Sequence, residues 1–263
     1  MTAVPAISAP RPIAALIGIH LREAWAEILK SMRLPVFMVP TVAMPAAFYA
    51  VFALAMGGGN VETATRTLAT FGVFAAMGPA LFGFGAGIST ERESGQLELK
   101  RLSPLPGSAL ITSKLAAALV FAAIALVLVY GLAIIAGVRL SAAGWASLVG
   151  LHLLSVVPCA LIGLGIGLRM GSKAAVATAN LVFLGLAVLG GLWMPLSVFP
   201  DAMRQFAWIL PSHHLAEIAI AITQGAGIAA ERAAALPLHG AGLALTTMAA
   251  AVFAWTGWER TPR

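Results

Sequence analysis

Pro211-Ser212-His213-His214 sets two imidazoles side by side in an apolar chain. Adjacent histidines can begin a metal site, but no carboxylate supports them and no His-Glu-x-x-His pattern exists. The plainer reading is a polar collar at a membrane interface; the chemical one is a membrane enzyme using His213 or His214. His152, Asn180 and His239 are the other polar side chains beyond Ser and Thr within apolar stretches. A lone histidine there is read first as packed and hydrogen-bonded. Cys159 is the single cysteine, which excludes a disulfide framework and a cysteine-based zinc site. Phosphate chemistry fares no better. Gly167 to Lys173 reads Gly-Leu-Arg-Met-Gly-Ser-Lys, with Ser and Lys in the wrong order for a P-loop. Glu93-Ser94-Gly95-Gln96 echoes an ATPase signature loop but lacks its second glycine. The expectation is no catalytic residue, no metal and no cofactor on this chain. Energy for uphill work would come from another subunit.

The scarcity of chemistry fits the composition. Of 263 residues, 60% are apolar and 10% charged, against roughly 45–50% and 25% in an ordinary soluble domain. The mean hydropathy is +0.94. These values exclude a disordered chain, a nucleic-acid-binding domain and almost any soluble enzyme. The expected class is all-α: a polytopic membrane protein in the lipid bilayer.

Long gaps between charges mark the spans, each needing about 20 mostly apolar residues. Six are expected, at about 34–56, 68–88, 110–137, 145–168, 174–195 and 236–258. Two apolar pieces are too interrupted to cross. Pro12 to Leu29 carries Ile13, Leu16, Ile17, Leu21, Trp25, Ile28 and Leu29 near one face. It reads as an amphipathic interface helix within a cytoplasmic N-terminus, 1–33. Residues 196–210 contain Asp201 and Arg204 and lie among prolines 195, 200 and 211. They read as a re-entrant helical hairpin between the fifth and sixth spans.

Basic residues orient the chain. With both termini cytoplasmic, Arg11, Arg22, Lys30, Arg33, Arg92, Lys100, Arg101, Lys114, Arg169, Lys173, Arg260 and Arg263 lie inside. Arg66, Arg139, Arg204 and Arg232 lie outside. That bias obeys the positive-inside rule and predicts a short cytoplasmic tail, 259–263. The formal charge of +6 then needs no acidic partner. No Asp, Glu, Lys or Arg falls at a span centre, where an ion pump or proton-coupled carrier would need one. Glycine triplets 83/85/87 and 163/165/167 each hold a G-x-x-x-G pair for close helix packing, with a pore or hinge role open. Phe71, Phe74, Met77, Phe82 and Phe84 face lipid, a neighbouring helix or an apolar substrate.

The loop after the second span, 89–109, is the exception to this scarcity. Six of the eleven residues from Glu91 to Arg101 are charged. Leu102-Ser103-Pro104-Leu105-Pro106 follows as a rigid turn. A solvated connector and a docking element for a soluble partner are both open.

Glu91-Arg92-Glu93-Ser94-Gly95-Gln96-Leu97-Glu98 with Ser103-Pro104-Leu105 resembles the cytoplasmic loop of ABC type-2 permeases. These are the membrane subunits of daunorubicin-resistance and nodulation-factor type exporters. Gly190-Gly191-Leu192-Trp193-Met194-Pro195-Leu196, then Phe199-Pro200, Leu210-Pro211 and Glu217, resembles the family's passage into its re-entrant hairpin. The resemblance covers nearly the whole chain. It implies two permease copies, a homodimer, above two separate ABC ATPase subunits that bind ATP and Mg. It assigns ATPase coupling to Glu91, Arg92, Glu93, Gly95, Gln96, Leu97 and Glu98. Phe74, Met77, Asn180, Phe183 and Trp193 become substrate-path candidates. It implies export across the cytoplasmic (inner) membrane. Sparse intramembrane charge favours an amphipathic or apolar cargo over a small ion. The alternative is an ATP-independent secondary carrier or facilitator.

Overall fold

The computed structural model describes residues 12–33, 35–103 and 105–259. Among them every regular element is helical: α1 (Ile13–Met32), α2 (Pro35–Tyr49), α3 (Val61–Glu93), α4 (Gln96–Leu102), α5 (Gly107–Ile135), α6 (Ala142–Leu154), α7 (Val156–Arg169), α8 (Ser172–Leu189), α9 (Asp201–Ala207), α10 (Pro211–Gln224) and α11 (Ala230–Glu259). Five units are long and apolar enough to cross a membrane: α3, α5, α6 with α7, α8 and α11. The bent pair α9–α10 is a sixth candidate.

α3 is the axis of the bundle. In its apolar stretch 78% of residues are buried within the subunit, against 11% in α11, which lies at the periphery. α7, α5, α8, α2 and α10 pack around α3; α1 lies on α5, and α11 on α7 and α10. Two glycines of α7 permit the tightest contact. A Cβ on Gly163 would sit 2.6 Å from the Leu81 carbonyl oxygen, and one on Gly167 2.7 Å from that of Gly85. Gly83 meets nothing within 4 Å, so the expected 83/87 pair is not a packing seam inside the subunit.

The boundaries shift for local reasons. The expected first span is α2 running on as a π-helix, Ala50–Ala55, with Pro40 and Pro45 inside it. Its Met56 N–H reaches back to the Val51 carbonyl, and the buried Tyr49 hydroxyl donates to the Ala64 carbonyl of α3 at 3.1 Å. The fourth span breaks at Ser155. Pro158 has no N–H for the Leu154 carbonyl, and Ser155 Oγ donates instead to the His152 carbonyl. The fifth span stops at Leu189, six residues before the expected end. Gly190 packs where a side chain would strike Ser212, and Gly191 turns the chain at φ 78°.

The hairpin is larger than residues 196–210. A 3-10 turn (Leu196–Val198) and α9 lead into α10, which bends away by 87° and runs to Gln224. Pro211 starts α10 at a position that needs no N–H. The first turn of α10 packs on Leu186 and Gly242. Its last turn lies beside Arg66 and Arg139.

Candidate functional site

Two features stand out: a charged assembly at one end of the bundle and a groove along its side. The first is built from Glu27 and Lys30 of α1, Glu91 of α3 and Lys114 of α5. Lys114 Nζ donates to Glu27 Oε1 at 2.8 Å and to Glu91 Oε1 at 3.0 Å. Lys30 Nζ also donates to Glu91 Oε1 and stands 3.6 Å from Glu27 Oε2. Glu27, Glu91 and Lys114 are buried. Two cations and two anions balance there, as a buried cluster requires. Burial lowers the pKa of Lys30, but the carboxylates of Glu91 and Glu27 outweigh it and hold the group above the usual lysine value. The cluster ties α1 to the ends of α3 and α5.

Arg92 faces the other way. Its guanidinium donates to the Leu168 carbonyl and, at 2.7 Å, to that of Met170, closing the end of α7. The Glu93 carboxylate lies against Gly171, where a Cβ would be 2.5 Å from Oε1. That places a negative charge at the N-terminus of α8, where a helix favours one. Thr90 and Ser172 share a 2.9 Å hydrogen bond beside it.

α3 ends at Glu93, and Gly95, with a φ of 73°, turns the chain into α4. Leu97 plugs α4 into the bundle at 2% exposure. Glu93, Gln96 and Glu98 are exposed, and Leu99 and Leu102 project outward at 68% and 86%. Of the seven coupling candidates, Glu91 and Leu97 are buried and Arg92 is engaged with α7. Glu93, Gln96 and Glu98 present an outward surface, with Gly95 as their hinge.

The sequence reading missed Glu27, Lys30 and Lys114. The signal was present: Lys114 sits four residues inside the expected third span, and a cation there needs a partner. Glu27 and Lys30 share the inward face of α1. The opposite face leaves Ile13, Ile17, Leu21 and Trp25 exposed as one apolar stripe.

The groove runs between α2, α3 and α8 and encloses about 390 Å³. Pro40, Thr41, Met44 and Pro45 form one wall, Gly78 and Phe82 the floor, and Asn180, Phe183 and Leu184 the other wall. Gly78 holds α2 close, since a Cβ there would lie 3.0 Å from Thr41 Cγ2. Behind it stands an aromatic stack. The Phe74 ring lies 4.8 Å from Phe183, 6.1 Å from Phe48 and 5.6 Å from Trp193, centre to centre. Asn180 and Phe183 thus line the groove. Phe74 and Met77 are fully buried behind it. Trp193 is half-buried on the stack, its Nε1 enclosed without a partner among the described residues.

The histidines cluster without forming a metal site. His213, His214 and His239 are buried, with ring centres 5.3–5.5 Å apart. His214 Nε2 donates to the Trp208 carbonyl at 2.9 Å, so its Nδ1 accepts from His239 Nδ1 at 3.1 Å. No group of three metal-ligating side chains is arranged to hold an ion among the described residues. His152 is packed as expected, bonded to the Tyr130 hydroxyl at 2.9 Å and the Ala69 carbonyl at 3.0 Å.

Comparison with known proteins gives two matches. The family described as ABC-2 type transporter matches residues 23–223. A Bacillus subtilis (strain 168) protein named "Putative transport permease YvfS" is 29% identical over 210 residues. The alignment spans 78% of this chain and 85% of that protein.

Proposed function

The chain belongs to the ABC-2 type transporter family, and we propose that it is the membrane permease of an exporter driven by separate ATPase subunits. Two copies pair, and two ATPases that bind ATP and Mg dock at the end carrying α4. The observation that carries this reading is the outward surface of Glu93, Gln96, Glu98, Leu99 and Leu102, set on a helix whose root is locked to α1, α5 and α7. A force applied there reaches three elements at once. Both termini are cytoplasmic in this reading, the membrane is the inner one, and the apolar stripe of α1 lies in its interface. α2 with its π-helical extension is the first of six crossings, and α9–α10 enters and leaves by the same side. Among the described residues the groove between α2, α3 and α8 carries no charged side chain. That supports an amphipathic or apolar cargo, because a desolvated ion needs compensating groups.

Replacing Glu93 and Glu98 by alanine tests the coupling. The permease should still fold. It should lose substrate-stimulated ATP hydrolysis, or the ATPase itself on purification. Unchanged transport and assembly in E93A/E98A would sink this assignment of α4.

A further inference from the structure

We infer that the end of the bundle remote from Glu91 carries an anion site for a phosphate-bearing group, held by Arg66 and Arg139. The two ends of α3 are far apart: Arg66 and Glu91 lie 25 residues apart, roughly 38 Å along a helix. Four arginines lie toward the Arg66 end. Arg204 pairs with Asp201. Arg232 pairs with Glu217 at 3.3 Å and donates to Gln224 at 3.0 Å. Arg66 and Arg139 make no ion pair or hydrogen bond among the described residues. Both line one cavity of about 410 Å³.

Arg66 stands in the second turn of α3, and Arg139 follows α5, so the guanidiniums reach the cavity from two elements. Thr63 and Thr223 add hydroxyls and Gln224 an amide. Glu62 also lines it, but it makes no ion pair with either arginine, and two guanidiniums against one carboxylate leave one positive charge in excess. A guanidinium offers a planar fork of donors that matches phosphate oxygens two at a time. Two forks and neighbouring hydroxyls fit a group with several oxygens better than a single carboxylate. The position suits that chemistry too. Arg66 precedes the most buried stretch of α3, and the end of a membrane span is where a leaflet's phosphates lie.

Two sources share the chemistry: a phospholipid headgroup of the adjacent leaflet and a phosphate group in water. The site is separate from the groove and does not depend on the transport reading. The test is titration of the purified full chain in neutral detergent with dihexanoyl phosphatidylglycerol, inorganic phosphate and dihexanoyl glycerol, followed by calorimetry. The phosphatidylglycerol should bind the wild type and R204Q alike. R66Q/R139Q should bind it at least tenfold more weakly. Competition by inorganic phosphate alone assigns the water-soluble source; binding only of the lipid assigns the headgroup. Arg139 is exposed, so R139Q should keep the wild-type unfolding midpoint and still lose severalfold in affinity. Wild-type affinity in R139Q overturns the site. So does equal binding of the uncharged glyceride, or no binding of either phosphate probe to the wild type.

Discussion

Lys114 Nζ of α5 lies 3.0 Å from Glu91 Oε1 of α3, with both side chains 1% exposed. Removing one partner of a buried pair costs about 3–5 kcal/mol, because the other charge stays buried. E91Q and K114M should each lower the unfolding midpoint of the purified protein markedly. E91Q/K114M should lose less than the two single losses together, since residues in contact couple. Strictly additive losses would show that the two do not interact. Lys30 adds a pH sign. Its pKa is raised by Glu91 and Glu27, so its contribution is complete at neutral pH and falls only as alkaline pH rises through the folded value.

Leu97 decides whether α4 is rooted or merely adjacent. At 2% exposure, its truncation to alanine costs about 2–5 kcal/mol locally. L97A should therefore expose the backbone at Lys100 and Arg101 to trypsin. Cleavage there should accelerate at least tenfold, while L99A, truncating an exposed side chain, should cut at the wild-type rate. Equal rates in all three proteins would mean that α4 gains no hold from Leu97.

How far the sequence reached follows from what each signal measures. Charge-free gaps register burial in lipid and protein together, so the apolar parts of α3, α5 and α11 were legible, although α3 and α11 begin seven and six residues before the expected 68 and 236. They do not register a break repaired inside the bundle, so Ser155 passed unseen. The expected hairpin stops at Leu210 because Pro211 reads as punctuation in the sequence, whereas in the structure Pro211 opens α10. In the structure His214 is satisfied by His239 and by the Trp208 carbonyl, His213 packs edge-on against Trp208 with both ring nitrogens buried and unpartnered among the described residues, and Glu217 pairs with Arg232. Glu91 was legible as unusual but not as buried. Its partners Lys114 and Lys30 lie 23 and 61 residues away, and one sequence carries no trace of such pairings.

Glycine spacing was only half informative, and substitution can show which half. Gly163 and Gly167 face the α3 backbone, whereas Gly83 faces open space. G163A and G167A must push α7 from α3, an overpacking that costs roughly 1–3 kcal/mol or more. Both should lower the unfolding midpoint and broaden the size-exclusion peak. G83A should match or slightly exceed the wild type, because alanine favours a helix by about 1 kcal/mol over glycine. A destabilised G83A with a tolerant G163A would reverse this placement of the seam.

Phe74 and Asn180 separate the core from the groove. Phe74 is fully buried, ringed by Phe48, Phe71, Phe183 and Trp193. Asn180 is exposed on the groove wall, and its amide donates to the Val176 carbonyl at 3.1 Å. Truncating a buried phenylalanine costs about 3–5 kcal/mol, so F74A should lose stability before it reveals anything about cargo. N180L removes only a hydrogen bond within one helix turn, and its midpoint should stay within a degree or two. If cargo passes the groove, N180L should shift the concentration of substrate that half-stimulates the partner ATPase, with the basal rate unchanged. Leucine at 180 makes the wall wholly apolar, so the shift should favour the more apolar members of a substrate series. An N180L protein with wild-type stimulation by every substrate, measured beside an F183A protein that also responds normally, would place the path elsewhere.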